Sequence, residues 1–218
     1  MKRKKLKNLY VAAVCLIAFI LWTAALFFID VRAVGPRGTS VGFATLNSAI
    51  HEFFGVNMTL YHVTDWLGLV PIFTALGFAV LGLVEWICRK KLTLVDINLF
   101  ILGGFYIVVI LVYILFESVT VNCRPVLIDG FLETSYPSST TLLTLCVMPT
   151  ALMQFRGRIK NGALKMWVSL LISAFTVFMV VGRLVSGVHW FSDIVGGALI
   201  SASLVFLYRY LERGFENG

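Results

Sequence analysis

The sequence predicts an all-α polytopic membrane protein, a bundle of six transmembrane helices with the N-terminus and the C-terminus both in the cytoplasm. Two observations lead to this fold class. Hydrophobic residues make up 59% of the chain and charged residues only 13%, which is too apolar for a soluble domain of this length. Lysine and arginine are also concentrated on one side of the predicted bundle. We therefore interpret residues 1–218 as a single membrane domain.

Each predicted span is an apolar run of about 20 residues, the length that crosses the hydrocarbon core as a helix. The first run follows the basic segment Met1–Lys7 and lacks an Ala-x-Ala pattern, so we interpret it as an uncleaved signal anchor. The fourth run is the shortest. The six runs lie at 9–29, 67–88, 97–117, 139–155, 166–183 and 190–210.

The basic residues set the predicted orientation, because cytoplasmic loops are enriched in lysine and arginine. Of the 18 lysines and arginines, 14 lie in segments assigned to the cytoplasm. The net charge of +7 is therefore interpreted as a topology signal, and no nucleic-acid partner is expected. The plain composition, without organelle signals, indicates a multi-pass protein of a bacterial plasma membrane.

The predicted outer loop at 30–66 is long and mixed in composition. From Leu46 to Trp66 it combines apolar, aromatic and polar residues, which is typical of a helix lying in the membrane interface. Such a helix could anchor the loop or form a wall or lid over a lipid site. Both interpretations remain open from the sequence.

Three ionisable residues near the last predicted span indicate phosphoryl transfer. Arg183 can hold phosphate oxygens with two hydrogen bonds. His189 can attack phosphorus, and Asp193 can fix the imidazole tautomer and stabilise the imidazolium. We expect Asp193 to share a helix face with His189, because residues four apart are neighbours on a helix. An aspartate one turn inside a membrane helix also needs a partner, and His189 is the expected one.

Two further elements lie upstream, so the motifs at 117–193 are predicted to meet at the outer face. Arg124 is followed by proline, and Pro137 precedes Ser138 and Ser139 at the start of the fourth span. A helix N-terminus favours anions, so these serines and the nearby amides could bind phosphate. Alternatively, Pro137 and Ser138 start and cap the helix, and both roles are compatible.

These motifs resemble the phosphatidic acid phosphatase type 2 superfamily, the membrane lipid phosphatases related to vanadium haloperoxidases. The family motifs are Lys-x6-Arg-Pro, Pro-Ser-Gly-His and Ser-Arg-x5-His-x3-Asp, on the outer side of a six-helix bundle. The resemblance implies that Arg124, Ser138 and Arg183 bind phosphate. It also implies that His189 forms a phosphohistidine and that Asp193 orients it. No metal or other cofactor is expected, and the four cysteines show no paired spacing.

Three positions depart from the family pattern. Glu117 stands where the family has lysine, Thr140 replaces the histidine of the second motif, and Gly182 replaces the serine before Arg183. The family histidine donates a proton to the leaving group, so this chain lacks that acid. Glu117 should repel phosphate unless it pairs with Arg124 or another cation.

Three interpretations of these departures remain open. The leaving group could need no acid, which favours a diphosphate such as undecaprenyl diphosphate. His62 and Asp65 of the outer loop could supply the proton instead. Catalysis could also be lost, leaving a protein that binds lipid phosphate.

The predicted function is metal-independent hydrolysis of a lipid phosphate or diphosphate at the outer membrane face. The expected partners are the lipid phosphate and the bilayer. A binding protein with little turnover and a lipid phosphotransferase are the alternatives.

Overall fold

A computed structural model describes residues 2–215, and it describes the side-chain surroundings of 5–212 apart from residue 93. Met1 and 216–218 of the predicted domain lie outside the described residues. Regular structure in 2–215 is helical, with only isolated β-bridges in the loops, so the all-α prediction is confirmed. The helices are α1 (Lys2–Ala25), α2 (Ala44–Phe54), α3 (Met58–Leu67), α4 (Leu69–Arg89), α5 (Ile97–Ser118), α6 (Ser139–Arg158), α7 (Gly162–Val185) and α8 (Phe191–Phe215).

Five stretches of the described chain are long and apolar enough to cross a membrane. They are Lys5–Ala25, Met58–Arg89, Ile97–Ser118, Gly162–Val185 and Phe191–Glu212. The second includes all of α3 and α4, and it therefore begins nine residues before the predicted run. The structure supports a multi-pass membrane protein, whereas the count of six crossings and the orientation stay predictions.

Helix α6 occupies the position of the fourth predicted run, but it is too polar to belong to that set. It packs against α4, α5, α7 and α8, and it buries Thr144, Thr150 and Gln154. A helix surrounded by other helices does not need an apolar surface toward lipid, because its polar groups find partners inside the bundle. This central position explains why α6 gives a weak signal in the sequence.

The loop predicted to hold one helix contains two, α2 and α3. They are separated at Gly55, which has a φ of 66°, a left-handed conformation that favours glycine. Gly187 lies so close that an added Cβ would be 2.0 Å from the Gly55 carbonyl oxygen. The Asn57 amide also donates to the Ser186 carbonyl at 3.0 Å. The break between α2 and α3 therefore packs on the turn between α7 and α8.

Asn47 of α2 joins this helix to the start of α8. It is fully buried, and its amide nitrogen donates to the Gly42 carbonyl at 2.8 Å. Its oxygen accepts from the Ser192 backbone amide at 3.1 Å, and its nitrogen also donates to Ser192 Oγ at 3.0 Å. The contact anchors α2 beside the turn that precedes α8.

Replacing Asn47 with alanine should destabilise the protein by about 2 kcal/mol, because the buried Ser192 amide would lose its acceptor. Thermal unfolding of the detergent-purified protein measures the change. The exposed Glu52→Ala on the same helix is the matched control and should melt like the wild type. An unchanged melting temperature for Asn47→Ala would contradict this role.

Candidate functional site

The turn between α7 and α8 carries His189, whose surroundings are almost closed to solvent. His189 is 3% exposed, and the flanking Val188 and Trp190 are also buried. The Trp190 indole nitrogen donates to the Cys123 carbonyl at 2.8 Å. This bond ties the turn to the long loop between α5 and α6, which contains Arg124.

His189 and Asp193 lie close together, but the helical relation expected from the sequence is wrong. His189 precedes α8, which begins at Phe191, whereas Asp193 lies in its first turn. The Asp193 side chain folds back, and its Oδ2 accepts from the Trp190 backbone amide at 3.0 Å. This end-capping contact leaves Oδ2 3.7 Å from His189 Nδ1. Asn122 Nδ2 donates to the other carboxylate oxygen at 3.3 Å.

Arg124 contacts the far side of the imidazole and thereby indicates its tautomer. Arg124 Nη1 lies 3.2 Å from His189 Nε2. A guanidinium group can only donate, so Nε2 must accept and the ring proton lies on Nδ1. Nδ1 lies 3.7 Å from Asp193 Oδ2, which is longer than a hydrogen bond, and the lone pair of Nε2 is on the side of Arg124. This tautomer is the one that a nucleophilic histidine backed by a carboxylate requires.

Arg124 is held by a carboxylate that the sequence did not single out. Arg124 Nε lies 2.9 Å from Glu133 Oε2, and the Arg124 backbone amide donates to the Glu133 carbonyl at 3.0 Å. A β-bridge between Cys123 and Thr134 completes this hairpin contact. Glu117, which departs from the family pattern, therefore does not pair with Arg124 in the structure.

Arg183 is 1% exposed and lies among side chains of α3. Its Nη2 lies 3.1 Å from Asp65 Oδ1, and its Nη1 donates to Thr64 Oγ1 at 3.4 Å. The Tyr61 ring faces both arginines, with centroid distances of 5.1 Å to Arg183 and 5.9 Å to Arg124. The structure thus brings the two predicted phosphate-binding arginines to one aromatic ring.

His62 and Asp65 do not meet as the predicted acid pair. His62 is exposed, and its ring lies 5.1 Å from the Tyr61 ring. Asp65 is directed to Arg183 instead.

A polar cavity of about 460 Å³ opens beside His189 and Arg124. Glu117 and Glu133 both line it, and so does Ser139. Within the described part of the chain, no group of three or more His, Cys, Asp or Glu side chains is arranged to hold a metal ion. Besides the two carboxylates, the polar side chains at this cavity are a guanidinium group, an imidazole and hydroxyl groups.

A second cavity of about 690 Å³ adjoins the first and is mostly apolar. It is formed by α4, α5 and α6, with Asp65 near one end. Tyr113 and Ser139 line both cavities, whereas Thr140 lines only the apolar one. The residue at the position of the missing histidine therefore lines the apolar cavity and not the polar cavity beside His189.

The two predicted serines have different surroundings. Ser138 is fully buried as the N-cap of α6. Its Oγ accepts from the Thr141 backbone amide at 3.4 Å and from the Thr141 hydroxyl at 3.0 Å. Ser139, by contrast, lines both cavities. The capping role of Ser138 is therefore present, and Ser139 is the serine that a ligand could reach.

Three residues of the site escaped the sequence analysis, namely Tyr61, Asn122 and Glu133. Asn122 lies two positions before Arg124, and its side chain contacts Asp193. Glu133 and Tyr61 are distant from Arg124 in the sequence, and no motif marks them. Their roles depend on the tertiary contacts of loops, which residue spacing alone does not specify.

Burial, with the added positive charges of Arg124 and Arg183, lowers the pKa of His189 well below its usual value. A lowered pKa keeps the imidazole neutral as the pH falls, so His189 should remain nucleophilic under mildly acidic conditions. We expect the ring ¹⁵N chemical shifts of His189, measured by NMR of the detergent-purified protein, to stay those of a neutral imidazole between about pH 8 and pH 5.5. Conversion to the shifts of an imidazolium with a midpoint near about 6.5, as for an exposed histidine, would contradict this.

Comparisons with known proteins identify the family and the fold. A family model described as the PAP2 superfamily matches residues 98–215, more than half of the chain. No curated protein sequence matches significantly. The fold is similar to the crystal structure of a transmembrane PAP2 type phosphatidylglycerolphosphate phosphatase from Bacillus subtilis, with a TM-score of 0.62 and 19% identity over 95% of this chain and 96% of that one. The resemblance drawn from the motifs is confirmed, and the chain belongs to the PAP2 superfamily.

Proposed function

We propose that the protein is a lipid phosphatase that cleaves a lipid phosphate or diphosphate through a phosphohistidine at His189. The observation that carries the proposal is the contact between Arg124 Nη1 and the buried His189 Nε2 at 3.2 Å. It leaves an unprotonated ring nitrogen beside a cation at the wall of a polar cavity. An adjoining apolar cavity could hold a lipid chain.

The proposed reaction has two steps. In the first, His189 Nε2 forms a bond to phosphorus as the bond to the leaving oxygen breaks. In the second, water forms the new bond to phosphorus and the phosphorus–nitrogen bond breaks. Arg124, Arg183 and groups near Ser139 would bind the equatorial oxygens, where negative charge is concentrated in the transition state. Asp193 would stabilise the positive imidazolium between the steps.

Thr140 stands where the family has its general acid, and this difference affects which leaving group, and so which substrate, is expected. A general acid typically contributes about 10²–10⁴ in rate where the leaving group needs a proton. A diphosphate leaves as a stable phosphate anion, whereas a monoester leaves as an alkoxide. The lack of histidine at this position favours a diphosphate lipid such as a polyprenyl diphosphate. The alternative, proton donation by His62 with Asp65, would be excluded if His62→Ala turned over at the wild-type rate.

A lipid-phosphate-binding protein with little or no turnover is the second candidate. Glu117 and Thr140 stand where the family motifs have lysine and histidine, so one cation and one acid of the family pattern are missing. Glu117 also lines the polar cavity. A binding site would need the arginines, but it has no evident need for a histidine backed by an aspartate. A lipid phosphotransferase would use the same phosphohistidine with an acceptor other than water.

The location of the reaction is also a proposal. The distribution of lysine and arginine supports a site on the outer face of a plasma membrane. We propose a bacterial membrane, because the sequence carries no organelle signal.

The test is a panel of lipids offered to the detergent-purified protein, with phosphate release and phosphohistidine both measured. Undecaprenyl diphosphate, phosphatidic acid and phosphatidylglycerol phosphate, the lipid class named for the structural neighbour, form the panel. A phosphatase should release phosphate and carry acid-labile label at His189. Binding without release or label would favour the binding protein. Label that passes to an added alcohol rather than to water would favour the phosphotransferase.

A further inference from the structure

We propose that one face of α3, formed by Tyr61, Thr64 and Asp65, is part of the phosphate-binding site. Tyr61 is a positioning residue for both arginines, and Asp65 is the counter-ion that substrate phosphate replaces on Arg183. This inference rests on the proposed function and extends it to a helix that precedes the stretch matched by the family model, 98–215.

The three side chains lie on the same face of α3, because residues three and four apart are neighbours on a helix. Together they surround the Arg183 guanidinium. Thr64 Oγ1 and Asp65 Oδ1 accept from its two terminal nitrogens at 3.4 Å and 3.1 Å, and the Tyr61 ring lies 5.1 Å from its centre. The position of Arg183 is therefore fixed by α3.

The Tyr61 ring also has Arg124 at 5.9 Å. Two guanidinium groups close together in a buried site repel each other, and the negative face of an aromatic ring offsets part of that repulsion. Tyr61 is 8% exposed and packs with Val188, next to His189. One ring thus fixes the distance between the two arginines and their position relative to the nucleophile.

Asp65 differs from Arg183 in its access to water. The Asp65 side chain is 54% exposed, whereas the Arg183 side chain is 2% exposed. The carboxylate can therefore leave the ion pair and be hydrated, but the guanidinium group cannot. Arg183 Nε is buried and has no hydrogen-bond partner among the described residues. A phosphate that displaced Asp65 could accept from both Nε and Nη2, the two-bond geometry that arginine favours.

The close approach of α3 also explains the departure at Gly182. A Cβ at Gly182 would lie 2.8 Å from Thr64 Cγ2, which is too close for an unshifted side chain. The serine of the family motif would therefore force the Thr64 side chain, or α3 with it, to shift beside Arg183. Glycine at this position is what the contact between α3 and α7 requires.

Four variants of the full-length, detergent-purified protein test the proposal. They are Tyr61→Leu, Tyr61→Phe, Asp65→Asn and the exposed control Glu52→Gln. The measurements are the dissociation constant for inorganic phosphate, and kcat and KM for the lipid that the wild type hydrolyses. Tyr61→Phe and Asp65→Asn keep nearly the same shape, so they keep the test informative if Tyr61→Leu does not fold.

Asp65→Asn should bind phosphate about fivefold more tightly and lower KM, because the competing negative charge is removed. Tyr61→Leu should bind about tenfold more weakly, through loss of the cation–π contacts. Tyr61→Phe should stay within about twofold of the wild type, because the ring is kept. Glu52→Gln should be unchanged.

Weaker or unchanged phosphate binding by Asp65→Asn would overturn the counter-ion role. Equal effects of Tyr61→Phe and Tyr61→Leu, or a lower melting temperature for Tyr61→Leu with no change in binding or KM, would overturn the positioning role. Either result with an active wild type leaves the proposed function intact. A wild type that neither binds phosphate nor hydrolyses any lipid of the panel would overturn the proposed function, and this inference with it.

Discussion

Replacing His189 with alanine should lower lipid phosphate hydrolysis by about 10⁴-fold or more, because the nucleophile and its covalent intermediate are lost together. The arginines that would bind the phosphate and the cavity beside them would remain, so the substrate should still bind. The measurements are initial rates of phosphate release, with His189→Gln as a second variant that fills more of the buried site. Both variants should also lose the acid-labile phosphate label.

The exposed Glu52→Gln should retain the wild-type rate, which shows that purification and detergent leave the enzyme intact. Substantial hydrolysis by His189→Ala, at more than about a hundredth of the wild-type rate, would contradict a phosphohistidine route. Water would then have to attack the substrate directly.

Asp193→Asn should lower the rate of His189 phosphorylation by about 10²–10⁴-fold. Oδ2 of Asp193 accepts from the Trp190 amide and lies near His189 Nδ1, while Oδ1 accepts from Asn122. Asparagine has only one oxygen, so its amide nitrogen must face one of these donors. The carboxylate that favours a proton on Nδ1 and stabilises the imidazolium would also be gone.

Single-turnover labelling measures this step directly. Asp129→Asn is a matched control, since Asp129 is exposed and its positive φ of 48° is a conformation that asparagine adopts readily. That variant should label at the wild-type rate. Labelling of Asp193→Asn at the wild-type rate would mean that the histidine needs no orienting carboxylate.

The fold was predictable where one physical property decided the local structure. The long apolar helices were visible in the sequence because lipid contact demands continuous hydrophobicity. Helix α6 was less clear, since its neighbours shield it and it can bury Thr144, Thr150 and Gln154. The break at Gly55 was also missed, because its conformation matters through a contact with Gly187, far along the chain.

The candidate site was predictable where residue types followed a spaced motif. Arg124, Arg183, His189 and Asp193 all lie in one buried region of the structure. The sequence did not indicate that α8 begins after His189, so the expectation that His189 and Asp193 share a helix face was wrong, although their side chains do lie close together. The counter-ions of the arginines were not indicated either, because ion pairs between distant loops leave no periodic pattern in a sequence.

The ion pairs of the two arginines have a consequence for which phosphates reach the site. Arg124 is matched by Glu133 and Arg183 by Asp65, and Glu117 adds another carboxylate at the polar cavity. The site by itself therefore has no excess positive charge with which to attract anions through water over long range. Nucleotides and other soluble phosphates should gain no electrostatic steering toward it. A phosphate carried on a lipid is instead concentrated by the bilayer itself, and so it would have the advantage over soluble competitors.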